Sequence, residues 1–192
     1  MASKETKERP FPERTTARLR LGPLDLAQTE GLHRVWTDPR VVEYLVAEPF
    51  DEPARSAEMI EILRGLFAKG EGIRWAVSLL PDGDVIGTCG FHKWAREHRR
   101  AEIGYELDSR HWRQGFMGEA LTAALEYGFH EMDLNRVEAF VTVGNRLSRG
   151  FLAKMGFTLE GTLRHYEWAR GRFQDQWLFS LLREEWRPSL PA

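Results

Sequence analysis

The sequence predicts a mixed α/β domain (α+β in its arrangement), in which helices flank a mostly antiparallel sheet of about seven strands. The chain has 192 residues, which is the size of one compact domain. Hydrophobic residues make up 42% of it and charged residues 29%, so the chain can bury a core. The hydrophobic period changes repeatedly along the chain between that of a strand and that of a helix, and this alternation predicts the fold class.

The first part of the chain predicts one strand followed by helices. Residues 1–14 are charged and carry two prolines, which predicts a flexible N-terminal arm. Apolar and polar residues then alternate over 17–21, as in a half-buried strand. Helical patterns follow over 24–36, 39–45 and 53–70, the last of which begins with a proline and ends with a glycine.

The rest of the chain alternates strands and helices. Strands at 73–80 and 85–92 flank a turn of Asp and Gly, which predicts a hairpin. The clearest helix runs over 118–133, where apolar residues form one stripe. The remaining predicted elements are strands at 101–108 and 137–143, a short helix at 148–155, and two strands at 157–166 and 175–182 that pair across the turn at 170–172.

Charge and cysteine content exclude several classes of protein. The net charge of −2 gives no global basic field for nucleic acid or an anionic membrane, and we interpret the basic run 92–100 as a solvated loop. The lone Cys89 excludes a disulfide framework, and we interpret it as a core residue. The six histidines lack a metal-binding spacing, so we predict no metal. Neither a membrane span nor a secretion signal is present, so we expect a cytoplasmic protein.

A glycine-bearing turn precedes the clearest helix. The segment Arg113–Gly118 would point backbone N–H groups and the positive end of the helix dipole at an anion, most commonly a pyrophosphate. Glycines at this position also serve a turn alone, and that interpretation stays open when the segment is taken by itself. The segment is neither a nucleotide-binding P-loop nor a Rossmann fingerprint, because the lysine of the first and the glycine pair of the second are missing.

Three segments occur around this turn in a specific order: Glu102–Tyr105, Trp112–Ala120 and Asn145–Gly161. Their order and spacing resemble the RimJ/RimL branch of the GNAT superfamily of N-acetyltransferases, which acetylates protein N-termini. The resemblance covers about residues 15–186. It implies an acetyltransferase domain at 15–187 and a C-terminal tail at 188–192, with a splayed central strand pair that holds coenzyme A.

The resemblance implies acetyl-CoA as cosubstrate and assigns residues to it. Two residues depart from the family's loop pattern, since Trp112 stands where Gln or Arg is usual and Met117 where Gly or Ala is usual. A larger residue at the second place would crowd the pyrophosphate, although we expect binding to survive because the loop offers mainly backbone donors. The residues implied to bind the cofactor are Leu107, Arg113, Gln114, Gly115, Phe116, Met117, Gly118 and Asn145.

Three side chains are candidates for the catalytic chemistry. Glu102 and Glu167 resemble glutamates proposed as the base in relatives, and each is also interpretable as a solvated strand carboxylate. Ser148 is the candidate acid or partner of the thiol, and it also stands where a helix N-cap belongs. Tyr105 or Tyr166 could replace it as the acid.

The leading functional prediction is acetyl transfer to the N-terminal α-amine of a protein such as a ribosomal protein. A free α-amine has a pKa of about 7.7 to 8.0, so roughly a tenth of it is neutral at pH 7 and little help from a base is needed. Two alternatives stay open: a small-amine acetyltransferase acting on a polyamine or aminoglycoside, and a CoA-binding sensor without activity. We expect no membrane partner, no specific nucleic acid, and a monomer or homodimer.

Overall fold

Eight strands form one sheet in the order β1-β2-β3-β4-β5-β6-β8-β7. The computed structural model describes residues 10–45, 50–81 and 83–187. The strands are β1 (Arg14–Thr15), β2 (Leu19–Pro23), β3 (Ile73–Leu79), β4 (Val85–Ala95), β5 (Arg100–Leu107), β6 (Arg136–Thr142), β7 (Thr158–Ala169) and β8 (Arg172–Leu182). The helices are α1 (Thr29–Thr37), α2 (Pro39–Val42), α3 (Pro53–Lys69), α4 (Phe116–His130) and α5 (Arg146–Lys154).

Helices cover both faces of the sheet. On one face α4 and α5 bury the larger core, which includes Leu121, Leu125 and Leu152. On the other face α1 and α3 bury a smaller core around Leu32 and Ile60. Within the described residues no helix has the length and hydropathy that a membrane span needs. The predicted layout of a mostly antiparallel sheet flanked by helices is confirmed, and the eighth strand is the two-residue β1.

One strand pair departs from the antiparallel pattern. β5 and β6 run parallel, because α4 crosses over between them, and they pair only through residues 100–102 and 136–138. Beyond these three residues β5 stays paired with β4 up to Leu107, and β6 stays paired with β8 up to Thr142. A gap therefore opens between β5 and β6 towards their carboxyl ends. This is the splayed central pair that the family resemblance implies.

The last two strands form the predicted hairpin. Ala169 pairs with Arg172 across the turn, and β8 inserts between β6 and β7. The guanidinium of Arg170 donates to the carbonyl oxygens of Val42 and Glu43, so this turn is tied to the end of α2. The N-terminal helices and the final strand pair therefore meet on the same side of the sheet, next to the gap.

Several boundaries differ from the sequence prediction. Phe11 packs edge-on against Phe67 with ring centroids 5.2 Å apart, and the Trp75 indole donates to the Pro12 carbonyl oxygen at 2.7 Å. The folded domain therefore starts before Thr15, although the arm was predicted to reach residue 14. The rest of that arm (1–9), the tail (188–192) and Asp82 of the predicted β3–β4 turn lie outside the described residues.

Only the second half of the basic run 92–100 is the solvated loop that its composition predicts, since Arg96–His98 form an exposed turn between two strands. β4 continues through the first half to Ala95, with an irregular register between His92 and Ala95. Lys93, within that irregularity, has a φ of 49°. The bulge directs this stretch of strand towards the gap, where its charged side chains meet those of β5.

Candidate active site

The N-terminus of α4 is built to face an anion. Gly115 has a φ of 83°, a left-handed conformation that suits glycine, and it is the N-cap of the helix without a capping side chain. The helix starts at Phe116, two residues before the predicted start at Gly118, because this glycine sets the turn. The first N–H groups of a helix have no intrahelical acceptor, and among the described residues no side chain accepts hydrogen bonds from them here. They can therefore donate to a diphosphate, which the helix dipole also favours.

The side chains of this loop leave its amides accessible. Met117 is only 8% exposed and lies in the larger core, so it does not crowd the loop as its size led us to expect. Arg113 and Gln114 are exposed on the turn. Trp112 points back to the sheet, where its indole donates to the Leu107 carbonyl oxygen at 2.8 Å. Trp112 and Met117, the two residues that depart from the family's loop pattern, therefore both pack against the rest of the domain.

Arg18, just before β2, holds this loop from outside. Its backbone N–H and its Nε donate to the two carboxylate oxygens of Glu119 in the first turn of α4, at 2.8 and 2.7 Å. Its Nη1 donates to the Gln114 carbonyl oxygen at 3.0 Å, and its guanidinium carbon lies 4.4 Å from the centroid of the Phe116 ring. The Glu119 carboxylate is thus neutralised next to the anion site. Sequence reasoning missed Arg18, since its partners lie about a hundred residues away.

Backbone groups line the gap between β5 and β6. Asp108 N donates to the Ile86 carbonyl oxygen at 2.8 Å. In an antiparallel ladder successive residues turn their backbone groups to opposite sides, so those of Tyr105 and Leu107 point away from β4 and towards the gap. These groups can bind the amide-rich pantetheine arm of coenzyme A as a substitute strand.

Tyr105 and Ser148 meet on the α5 side of the gap. The Tyr105 hydroxyl lies 2.7 Å from Ser148 Oγ, and its ring packs edge-on against Phe151. Burial raises the pKa of Tyr105 well above its usual value, so the hydroxyl stays protonated and can donate a proton. The structure thus brings the predicted acid Ser148 into contact with the alternative acid Tyr105.

Asn145, and not Ser148, is the N-cap of α5. Asn145 Oδ1 accepts a hydrogen bond from Ser148 N at 3.0 Å. The capping interpretation of Ser148 is therefore wrong, because the helix begins at Arg146 and its cap lies one position earlier. The Ser148 hydroxyl is free for Tyr105, and the amide nitrogen of Asn145 has no hydrogen-bond partner among the described residues.

Glu102 lies where the gap begins, on the opposite face of the sheet from Ser148. It accepts from Lys93 Nζ at 2.9 Å and from His92 Nε2 at 3.2 Å. Burial alone would raise the pKa of Glu102, but these two hydrogen bonds outweigh it and hold the pKa below its usual value. The carboxylate is therefore ionised at neutral pH.

Lys93 links Glu102 with the final strand pair. Its ammonium lies 5.8 Å from the centre of the Phe140 ring, which stacks on Tyr166 with centroids 5.3 Å apart. The negative charge of Glu167 also acts on Lys93 and favours its protonated form. Glu167 is half-buried on β7 and forms no ion pair within the described residues. The two predicted bases thus lie on either side of one lysine that sequence reasoning assigned to a solvated loop.

The lone cysteine and the histidines other than His92 form no further site among the described residues. Cys89 is fully buried, and this burial raises its pKa to about 12, so it stays a thiol in the core. Among residues 10–45, 50–81 and 83–187, no three histidine, cysteine, aspartate or glutamate side chains cluster as a metal site would require.

Comparison with known proteins agrees with this geometry. The family profile described as the acetyltransferase (GNAT) domain matches residues 18–158. The N-acetyltransferase p20 of Bacillus licheniformis, itself described as uncharacterised, is 39% identical over 171 residues, which are 89% of this chain and 96% of the relative. The ribosomal protein uS5-alanine N-acetyltransferase of Escherichia coli is 31% identical over 106 residues, 55% of either chain.

A solved structure shows the same fold. The spermidine N-acetyltransferase from Vibrio cholerae, in complex with CoA and spermine, superposes with a TM-score of 0.76 over 88% of this chain and 98% of the other, at 22% identity. The uncapped helix N-terminus, the strand gap and the matching profile all agree with the predicted family. The chain therefore belongs to the GNAT family, as an acetyl-CoA-dependent N-acetyltransferase.

Proposed function

We propose that this enzyme acetylates the N-terminal α-amine of a protein, with ribosomal proteins as the first candidates. The observation that carries the proposal is the charge balance where the acceptor enters. Of the carboxylates beside the gap on that face, Glu102, Glu106 and Glu138 are each paired with basic side chains of the protein. Only Glu167 is left without an ion pair among the described residues, and this one carboxylate suits the approach of one ammonium group, which then gives up its proton at Glu102.

A polyamine would require a different charge balance. It carries several ammonium groups a few methylenes apart, and each needs a carboxylate or an aromatic face to replace its hydration. Here Lys93 stands next to Glu102 and would repel a second cation. A protein N-terminus brings a single amine, a tenth or so of which is already neutral at pH 7.

The chain's own residues supply the remaining chemistry. Acetyl-CoA provides an activated acetyl group as a thioester. The amine nitrogen bonds to the carbonyl carbon, and the carbon–sulfur bond breaks. The amine gives up one proton, and the thiolate gains one. The Glu102 carboxylate accepts the amine's proton directly or through the adjacent His92, at 3.2 Å. The Tyr105 hydroxyl, held by Ser148, is the proton donor for the sulfur. Backbone N–H groups at the gap donate to oxygen as it gains negative charge.

The named relatives support this choice of acceptor in part. The E. coli relative is by its name an alanine N-acetyltransferase of ribosomal protein uS5, and it matches 55% of this chain at 31% identity. No contact among the described residues favours the small-amine alternative, so it enters as an outcome of the experiment.

The test is an acceptor panel with thiol release as readout. Purified protein is incubated with acetyl-CoA and with peptides that start with Ala or Ser, the same peptides blocked by N-formylation, and spermidine. We expect thiol release and a mass gain of one acetyl group on the free peptides, none on the blocked ones, and at least tenfold lower kcat/KM on spermidine. Faster turnover of spermidine than of every peptide contradicts the proposal.

A further inference from the structure

We propose that Arg74, lying over Gly104, forms a subsite for the carbonyl oxygen of the acceptor's first residue. This subsite rests on the proposed function and names what distinguishes a peptide N-terminus from a simple amine. The chemical group that it would bind is an amide carbonyl placed on the carbon next to the amine.

Two glycines make room for the Arg74 side chain. Across the sheet Arg74 on β3 pairs with Gly90 on β4, and Gly90 pairs with Gly104 on β5. A Cβ built at Gly104 would lie 2.8 Å from Arg74 Nη1. The arginine thus reaches over two strands and brings its guanidinium to the edge of the β5–β6 gap, a position that any side chain at residue 104 would obstruct.

The guanidinium is fixed there with one nitrogen left over. Arg74 is only 6% exposed; its Nε donates to Thr88 Oγ1 at 2.9 Å and its Nη2 pairs with Glu106. Thr88 in turn donates to Glu106 at 2.6 Å, so the network is closed on that side. Nη1 has no hydrogen-bond partner among the described residues. A largely buried guanidinium with one unused N–H group next to a binding gap is suited to donate a hydrogen bond to an oxygen atom of a ligand.

The subsite lies at the right distance from the amine position. Gly104 and Glu102 are two residues apart on one face of β5, which is about 7 Å along a strand. His92 spans this interval, since its Cε1 is 3.4 Å from the Cβ position of Gly104 and its Nε2 is 3.2 Å from Glu102 Oε2. An α-amine next to His92 and Glu102, followed by its own carbonyl, would pass beside the imidazole towards Arg74 Nη1.

The consequence is a preference for acceptors that carry this carbonyl. A hydrogen bond to a charged donor strengthens binding by roughly tenfold to a hundredfold, and an acceptor without the oxygen gains nothing from Arg74. The preference should therefore appear in kcat/KM ratios between acceptors and leave coenzyme A binding unchanged.

The variant Gly104→Ala tests this. Its new methyl group would lie 2.8 Å from Arg74 Nη1, so the guanidinium must shift, and a thermal melt of the variant shows whether the network with Thr88 and Glu106 survives that shift. The matched control is Gly150→Ala on α5, where an added Cβ meets nothing within 4 Å. Both variants are assayed with alaninamide, which has the carbonyl, and with propargylamine, which lacks it, each value being divided by that of the unmodified protein.

We expect Gly104→Ala to lower kcat/KM at least tenfold for alaninamide and less than twofold for propargylamine, with an unchanged Kd for CoA by calorimetry. Equal losses on both acceptors, or no loss on either, would overturn the subsite. Those outcomes are separable from failure of the proposed function, which is read on the unmodified protein: if that protein prefers spermidine to peptides, the acceptor assignment falls whatever the variant does.

Discussion

Tyr105 rather than Ser148 is the residue whose hydroxyl should protonate the leaving sulfur. The two hydroxyls are 2.7 Å apart, and the raised pKa of Tyr105 keeps its proton in place at any pH at which the enzyme works. We expect Tyr105→Phe to lower kcat about a hundredfold, the range of general acid catalysis, with little change in the KM for acetyl-CoA. Ser148→Ala should cost less, because the phenol remains. Steady-state kinetics decide between them, and a larger loss in Ser148→Ala would make the serine the acid.

Lys93 sets the pH range in which Glu102 is ionised. Its hydrogen bond and charge lower the pKa of that carboxyl, so replacing it raises this pKa and protonates the base at a higher pH than before. We expect Lys93→Met to lower kcat/KM several-fold more at pH 5 than at pH 8. The control is Lys69→Met, at the exposed end of α3. A uniform loss across the pH–rate profile would mean that Lys93 contacts the acceptor and does not tune Glu102.

At the scale of elements, a network of ion pairs joins the strands at the end of the gap where β5 and β6 still pair. Arg136 on β6 binds both oxygens of Glu160 on β7, at 2.7 and 2.6 Å, and its Nε donates to Glu138 at 2.8 Å. Arg100 on β5 donates to the other oxygen of Glu138 at 2.9 Å. These contacts join β5, β6 and β7 beside the only three residue pairs of the parallel ladder.

Glu160 should make stability depend on pH. Arg136 first, and then Ser180, lower the pKa of Glu160 to about 2, so the stabilisation is complete above its ordinary value of 4.5 and is lost as the pH falls towards 2. Because 38% of the side chain is exposed, we discount the effect to about 1 kcal/mol, or a 2 to 4 °C fall in Tm for Glu160→Gln at pH 7. Thermal melts should show a smaller difference in Tm between Glu160→Gln and the unmodified protein at pH 3 than at pH 7. The exposed Glu126→Gln should show no difference in Tm at either pH. A difference that is equal at both pH values would refute the assignment.

Arg18 should matter for the cofactor although it lies on another element. It neutralises Glu119 and holds the Gln114 carbonyl, so Arg18→Gln leaves a carboxylate beside the diphosphate and a looser turn. We expect the Kd for CoA to rise about tenfold with little change in kcat. Arg20→Gln is the matched control, because Arg20 lies on the same stretch and pairs with Glu13. Equal Kd values for CoA in Arg18→Gln and Arg20→Gln would show that the contacts of Arg18 with Glu119 and Gln114 do not support cofactor binding.

The sequence indicated those parts of the site whose chemistry is local. The loop 113–118 could be predicted because it acts through glycine and backbone amides ahead of a helix. Arg18 could not, since its contacts cross 96 to 101 residues of sequence. Lys93 was assigned to a loop because composition does not reveal the bulge in β4. This bulge is what directs the Lys93 side chain towards the site. Ser148 was interpreted as the helix N-cap because serine is as good a capping residue as asparagine. The actual cap is Asn145, three residues earlier.

The whole molecule is a sheet in two parts, β1–β5 and β6–β8, joined directly by one short parallel ladder. A ligand in the gap would bridge both parts and hydrogen-bond to strand edges that otherwise face solvent. Binding of coenzyme A should therefore stabilise the fold as a unit and protect specific amides, rather than tighten only the loop at α4.

This can be measured by melting and hydrogen exchange with CoA. At a hundred times Kd, binding to the folded state adds about 2.7 kcal/mol, which predicts a rise in Tm of about 5 to 11 °C for a chain of this size. Exchange should slow at the amides of Tyr105 and Leu107, which point into the gap, as well as at the start of α4. Gly115→Ala, with its left-handed backbone strained, should weaken both effects together. Protection confined to the α4 loop would mean that the pantetheine arm does not enter between the strands, and the placement of the thioester beside Glu102 and Tyr105 would then be wrong.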